Sequence, residues 1–132
     1  MTGRIPVTLL RMPSGMKELI QFALRPIRVP LVMNEEDVLA YRLSYASGLH
    51  LTVIVMFVAR RHWVLFRRPA MCLSVVKADE RMNVTSRYMI EYVQAPTGPH
   101  DMEFTMEFMA RFTAATRAVA DVLGAGERTD VS

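Results

Sequence analysis

The sequence predicts a mainly β fold of the α+β type: an antiparallel β-sandwich or open barrel with a C-terminal helix and room for one short N-terminal helix. Apolar runs recur roughly every 10 to 14 residues with turn residues between them, which is typical of antiparallel sheets. Long helices that would connect parallel strands are missing from the pattern. With 52% hydrophobic and 22% charged residues over 132 positions, the composition is that of one globular domain. We assign residues 1–125 to this domain and residues 126–132 to a polar, frayed C-terminal tail.

Prolines divide the N-terminal third into short segments. Residues 5–12 fit a short edge strand, because Pro6 at its start has no N–H to donate to a neighbouring strand. Residues 16–24 (MKELIQFAL) place their apolar side chains near one helical face, which predicts the short helix. Pro26 ends this helix, since the residue before a proline avoids helical dihedral angles. Residues 27–33 are then expected to be extended.

The next two segments predict a β-hairpin. The first segment alternates with period two, so it is a strand with one buried face. A short link containing Gly48 joins it to the run SGLHLTVIVMFVARR at residues 47–61. The side chains expected on the buried face of the first strand are Leu39, Tyr41, Leu43 and Tyr45.

The second strand of this hairpin is apolar on both faces. A transmembrane helix needs about 20 apolar residues, but Arg60 and Arg61 close this run early, so we predict no membrane span. A strand with one solvated face would not need Ile54, Met56 and Val58 on its outer side. Either the protein's own terminal helix covers these three side chains, or another chain does. They are therefore the candidate interface residues.

The C-terminal half predicts further strands and then the terminal helix. Apolar runs at residues 63–66 and 71–77 lie on either side of Arg67, Arg68 and Pro69, and residues 88–93 alternate after a polar loop. Residues 101–109 alternate as well, which predicts a strand with glutamates on its solvated side. Thr113 is expected to N-cap a helix that ends at Gly124.

Basic residues are concentrated in one segment. The net charge is +3, and arginines far outnumber lysines. Arginines neutralise phosphates, and aromatic rings stack on single-stranded bases, so an interleaved cluster is a candidate nucleic-acid site. The alternative is a hairpin that turns its apolar residues inward and its arginines to solvent. The candidate residues are Arg60, Arg61, Trp63, Phe66, Arg67 and Arg68.

No catalytic, metal-binding or cofactor motif is predicted, and we expect the protein not to be an enzyme. His50, His62 and His100 lack a second ligand at helical spacing, so no zinc site is supported. The single cysteine, Cys72, excludes an intrachain disulfide and is expected to be a small buried hydrophobe. Because the N-terminus lacks the long apolar stretch of a secretory signal, we expect a cytoplasmic location.

Several short motifs resemble a family of small, uncharacterised actinobacterial proteins. The family's strand–turn–strand pattern is similar to EDV at residues 36–38 and LSYASGL at 43–49, followed by an apolar strand and two arginines. Its C-terminal motif is similar to PTGP at residues 96–99 followed by Phe104 and Glu107. The chain lacks the glycine-rich middle loop of that family. The resemblance implies a β-sandwich and no known chemistry.

A second likeness lies at the C-terminal end of the chain. The predicted strand and helix between Met102 and Leu123 are similar to the end of single-stranded RNA phage coat proteins, which have a comparable length and basic charge. Those coats carry two helices at this place, where the present sequence predicts one.

These observations favour a non-enzymatic interaction or assembly module that is homo-oligomeric. Eleven methionines, several of them in predicted strands, fit either core filling or an adaptable binding surface. The alternative is a nucleic-acid-associated or phage-coat-like structural protein that uses the cluster from Arg60 to Arg68. A small-molecule binder inside a barrel is a third reading.

Overall fold

A computed structural model of the chain describes residues 7–62 and 66–131. It confirms the predicted fold class, because antiparallel strands dominate and both a short N-terminal helix and a C-terminal helix are present. A short 3-10 helix, Arg25–Ile27, follows the first helix. The strands and α-helices are β1 (Val7–Leu9), α1 (Met16–Leu24), β2 (Leu31–Asn34), β3 (Val38–Ser44), β4 (His50–His62), β5 (Phe66–Ala78), β6 (Val84–Gln94) and α2 (Met102–Val122).

The described strands form one open antiparallel sheet in the order β2-β3-β4-β5-β6. The predicted β3–β4 hairpin is confirmed, with Ser44 opposite His50 and Val38 opposite Met56. The short strand β1 continues the same edge of β4 further along, where Leu9 lies opposite Val58. Consecutive strands pair because short turns join them, which gives an open sheet layered with helices.

Both helices pack on one face of this sheet and form the hydrophobic core with it. Helix α1 has the predicted bounds and buries its apolar face there, including Ile20 and Leu24. The odd-numbered positions of β3 and β4 face the same core, as the period-two pattern predicts. Fully buried side chains of this core include Ile20, Leu39, Leu43, Leu51, Val53, Val55, Met71, Leu73, Val75, Phe108 and Phe112.

The predicted strand at residues 101–109 is wrong, because these residues begin the long helix α2. Asp101 is the N-cap, and its side chain accepts a hydrogen bond from the Phe104 N–H at 3.1 Å. The alternation of apolar residues here also contains the i, i+4 pair Phe104 and Phe108, which share one helical face. Thr113 lies inside the helix and is not its N-cap, whereas Gly124 has the left-handed conformation expected just after a helix.

The predicted frayed tail is also wrong for the part that the structure describes. Thr129 N–H donates to the carbonyl of Ser44 at 2.9 Å, and the Ser44 N–H donates to the Asp130 carboxylate at 3.0 Å. The Arg128 guanidinium donates to Asp130 and to the backbone carbonyls of residues 27 and 28, at 2.9, 2.9 and 3.1 Å. The tail is thus fastened to the end of β3, a contact across more than 80 residues that local pattern does not reveal.

Strand β5 runs without a break through the residues between the two predicted apolar runs. Pro69 lies opposite Ala59 in the β4–β5 ladder, so Phe66 and residues 71–77 belong to one strand, while residues 63–65 of the first run lie outside the described residues. The polar loop before β6 is shorter than predicted, since β6 begins at Val84. The result is a long β4–β5 hairpin whose far end reaches His62 and Phe66.

Candidate interaction surface

The face of the sheet turned away from α1 and α2 is the candidate site, and we call it the distal face. Side chains alternate along a strand, so the even-numbered positions of β4 lie on this face. The three sequence-predicted interface residues are among them. Ile54 lies opposite Ala40 and Ser74, Met56 opposite Cys72, and Val58 opposite Ala70.

The protein's own helices do not cover the distal face. The core formed with α1 and α2 contains no even-numbered residue of β4. A second, smaller cluster holds Val58, Ala70 and Cys72 with Met56 and Tyr92 packed against them, and none of its members comes from a helix. The sequence left two possibilities for what covers Ile54, Met56 and Val58: the terminal helix or another chain. In the part of the chain that the structure describes, the terminal helix does not cover them.

Exposure on the distal face increases from its centre to its edges. Val58 is buried at the centre, where small neighbours such as Cys72 lie between longer side chains. Ile54 and Met56 are half-buried. Leu9 on β1 and Ile90 on β6 are 52% and 47% exposed, although both are large and apolar. Large exposed apolar side chains on one face are the feature by which we select this face as the candidate site.

The charged residues of the distal face all have the same sign. Arg42 lies opposite Thr52 and Arg87 opposite Val76 at one end, and Arg68, two residues before Ala70, lies at the other. Among the described residues, none of these three arginines forms an ion pair. Within the four strands β3, β4, β5 and β6 the sole acidic residue is Glu91, which lies opposite Leu73 on the helix side. The distal face therefore has an apolar centre, basic ends and no carboxylate on these strands.

The end of the β4–β5 hairpin brings most of the predicted nucleic-acid residues together. In the backbone register, Arg60 lies opposite Arg68 and Arg61 opposite Arg67. Phe66 lies opposite His62 on the same ladder, whereas Trp63 falls outside the described residues.

Helix α2 carries an exposed surface that the sequence reasoning missed, and we call it the outer patch: Met102, Glu103, Met106 and Glu107. Met102 and Met106 are 53% and 67% exposed, and both glutamates are exposed beside them. All four lie on the first turns of α2, away from the buried phenylalanines. In a strand, the two glutamates would be about 13 Å apart, whereas on a helix they are neighbours on one face. The Phe104–Phe108 spacing was the signal that could have found this patch.

One pair of side chains has the composition of a catalytic dyad. Ser44 Oγ and His50 Nδ1 are 2.9 Å apart, a hydrogen bond across the β3–β4 hairpin. Activation of a serine also needs a group that orients the histidine and a pocket for the substrate. No side chain in the described part of the chain is recorded holding the other ring nitrogen of His50, and the pair lines none of the cavities described below. We interpret the pair as a polar contact at the strand end.

Two further features bear on ligand binding. A cavity of about 360 Å³ between α2 and the C-terminal tail is lined by Tyr45, Arg117, Asp121 and Arg128, so it mixes charges of both signs. A second cavity, of about 250 Å³, is lined by Arg25, Arg28 and Tyr41 among others.

Across residues 7–62 and 66–131, no group of three or more His, Cys, Asp or Glu side chains could hold a metal ion. No helix there is long and apolar enough to cross a membrane.

Tyr41 has a buried hydroxyl without a hydrogen-bond partner among the described residues. Desolvation raises the pKa of this tyrosine to about 12. We expect Tyr41→Phe to raise the free energy of unfolding by about 1 kcal/mol at neutral pH, since it removes an unsatisfied buried polar group. Because the pKa is raised in the folded state, wild-type stability should fall as the pH rises from 10 towards 12, by roughly 1–2 kcal/mol.

Urea unfolding of both proteins between pH 7 and 11.5 measures this difference. The Tyr41→Phe variant should lose less stability above pH 10 than the wild type does. Tyr88→Phe is the matched control, because Tyr88 is only partly buried and its replacement leaves Tyr41 in place. A Tyr41→Phe variant that is less stable than the wild type at pH 7 would show that the hydroxyl has a partner.

No protein-family model matches the chain. Neither a curated protein nor a solved structure matches it. The resemblance to a small actinobacterial family and the likeness to phage coat proteins therefore stay predictions made from short motifs. Any functional interpretation depends on the surfaces described above.

Proposed function

We propose that the protein is a non-enzymatic assembly module that associates with further copies of itself through the distal face. One observation carries the proposal: β4 is apolar on both sides, and the described helices cover only one of them. Ile54, Met56 and Val58 lie on the uncovered side with the more exposed Leu9 and Ile90. Val58 is already buried, but association would remove the exposed parts of Ile54, Met56, Leu9 and Ile90 from water, which stabilises the complex in proportion to the apolar area buried.

The size of the distal face agrees with a second copy as its partner. Four strands at a spacing of about 4.8 Å, two of them 13 residues long, span roughly 20 by 40 Å. This outline is the size of the patch that one partner covers in a standard protein–protein interface, and the accessible part lies around Thr52, Val58 and Val76, which are already buried in the single chain. The apolar centre with arginines at its ends also matches the core and rim of such interfaces. As part of the same proposal, we place the module in the cytoplasm, where the buried thiol of Cys72 stays reduced.

Replacing Ile90 with lysine tests the proposal. Ile90 is about half exposed, so the fold should tolerate lysine there, but a new charge would oppose burial of the distal face. We expect the wild type to self-associate at high micromolar concentration in light scattering, and Ile90→Lys to be a monomer. Leu31→Lys is the matched control, since Leu31 is also exposed but lies opposite Tyr41 on the helix side. A wild type that is a clean monomer at this concentration contradicts self-association.

Binding of single-stranded nucleic acid is the second candidate function, favoured by the arginine pairs at the end of the β4–β5 hairpin. Four arginines occupy two consecutive facing positions of the backbone ladder, and arginines neutralise phosphates. The same scattering experiment, run with and without nuclease, separates the two functions. Mass that nuclease removes, together with loss of RNA binding in Arg60→Ala with Arg67→Ala, would support this second function and contradict self-association through apolar contacts alone.

A further inference from the structure

Resting on the proposed self-association, we infer that the distal face of one copy binds the outer patch of α2 on the next copy. The two surfaces are complementary in charge. The distal face offers Arg42, Arg68 and Arg87 around an apolar centre, and the outer patch offers Glu103 and Glu107 between exposed methionines. Unbranched methionine side chains adapt to irregular apolar surfaces such as a pleated sheet.

The arginines argue against the simplest alternative, a symmetric dimer of two distal faces. In such a dimer each basic end of one sheet meets a basic end of the other, since no carboxylate stands on the distal side of β3 to β6. Like charges placed together across an interface oppose the association and select against that partner. The outer patch supplies the missing negative charge on the same chain.

The positions of the two surfaces determine the kind of assembly. Helix α2 packs on one face of the sheet, and the distal face is the other, so the two surfaces point in opposite directions. A contact between them is heterologous, and each copy retains one free surface of each kind. Each sheet would then have helices on both faces, one of the stable layer arrangements of proteins. We therefore expect open, stepwise growth and not a closed dimer.

Two charge-reversal variants test this pairing. The first is Glu103→Arg with Glu107→Arg on the outer patch, and the second is Arg42→Glu with Arg87→Glu on the distal face. Each variant alone places like charges on both surfaces, and each should associate at least roughly tenfold more weakly than the wild type. In an equimolar mixture every contact between unlike variants is again complementary, so the mixture should recover the wild-type mass. Arg117→Glu with Arg81→Glu is the matched control, because both arginines are exposed elsewhere.

The outcomes separate this inference from the proposed function. Sedimentation of the wild type should show mass that grows with concentration beyond a dimer. A plateau at the dimer, or a mixture of the two variants that stays monomeric, overturns the pairing. If Ile90→Lys abolishes association while both charge variants keep it, the distal face still binds another copy but not through the outer patch. If all of these proteins, the wild type included, are monomers, the proposed function fails together with this inference.

Discussion

Replacing Phe108 with alanine is expected to lower the free energy of unfolding by about 3–5 kcal/mol. Phe108 is fully buried on the inner side of α2, and its ring centroid lies 5.5 Å from that of Phe104. Truncation removes the apolar area that this ring buries and leaves a cavity between α2 and the sheet. Urea unfolding followed by circular dichroism measures the loss, with the slope of the transition checked for unchanged cooperativity.

Met106→Ala is the matched control for this prediction. Met106 lies two residues earlier on the same helix but is 67% exposed, so its truncation should change stability by no more than about 0.5 kcal/mol. The two outcomes also separate helix from strand. In the strand predicted from the alternation of residues 101–109, Met106 and Phe108 share one face and should cost similar amounts. Equal losses would therefore contradict α2.

Replacing Arg128 with methionine is expected to cost about 3 kcal/mol of stability. The Arg128–Asp130 ion pair is 2.9 Å long, and the two side chains are only 19% and 13% exposed. Removing the guanidinium leaves the Asp130 carboxylate without its cation and two backbone carbonyls of the 3-10 segment without their donor. Unpaired groups that are shielded from water keep their desolvation penalty, which is why the loss should exceed that of a surface ion pair.

The control for Arg128 is Arg117→Met, an exposed arginine on α2 for which no ion pair is recorded among the described residues. It should leave the unfolding midpoint within experimental error of the wild type. Adding Asp130→Asn to Arg128→Met should recover part of the loss, since the uncompensated charge is then gone. If Arg128→Met proved as stable as Arg117→Met, the tail would contribute nothing to the fold.

The elements that local pattern predicted well are those whose side-chain period has one interpretation. Helix α1 has the predicted bounds, and the β3–β4 hairpin pairs as predicted. The apolar side chains of β3 repeat every two residues and do not also fit a helical period. The start of α2 was misread for the opposite reason. Met102, Phe104, Met106 and Phe108 satisfy a two-residue period, while Phe104 and Phe108 also satisfy a helical one.

For the candidate site, the sequence predicted candidate interface residues but not the face of the sheet on which the helices pack. The apolar composition of Ile54, Met56 and Val58 predicted that β4 has no solvated face, and their role in an interface stays a prediction. Both sides of β4 are apolar enough to pack against helix α2. Whether α2 packs on the odd-numbered or the even-numbered side chains therefore depends on the packing of the complete chain. The outer patch could not be found while Glu103 and Glu107 were assigned to a strand.

The amino-acid sequence by itself determined the fold class, the helix α1, the central hairpin and the two-sided character of β4, because these follow from side-chain period and turn residues over short distances. Tertiary structure alone decided three things. Both helices cover the odd-numbered face, the tail bonds to Ser44 through Thr129 and Asp130, and arginines of different strands lie at the two ends of one face whose strands carry no carboxylate there. Each of these depends on contacts between residues far apart in the chain. The local sequence pattern is compatible with several such arrangements, and the packing of the complete core selects one of them.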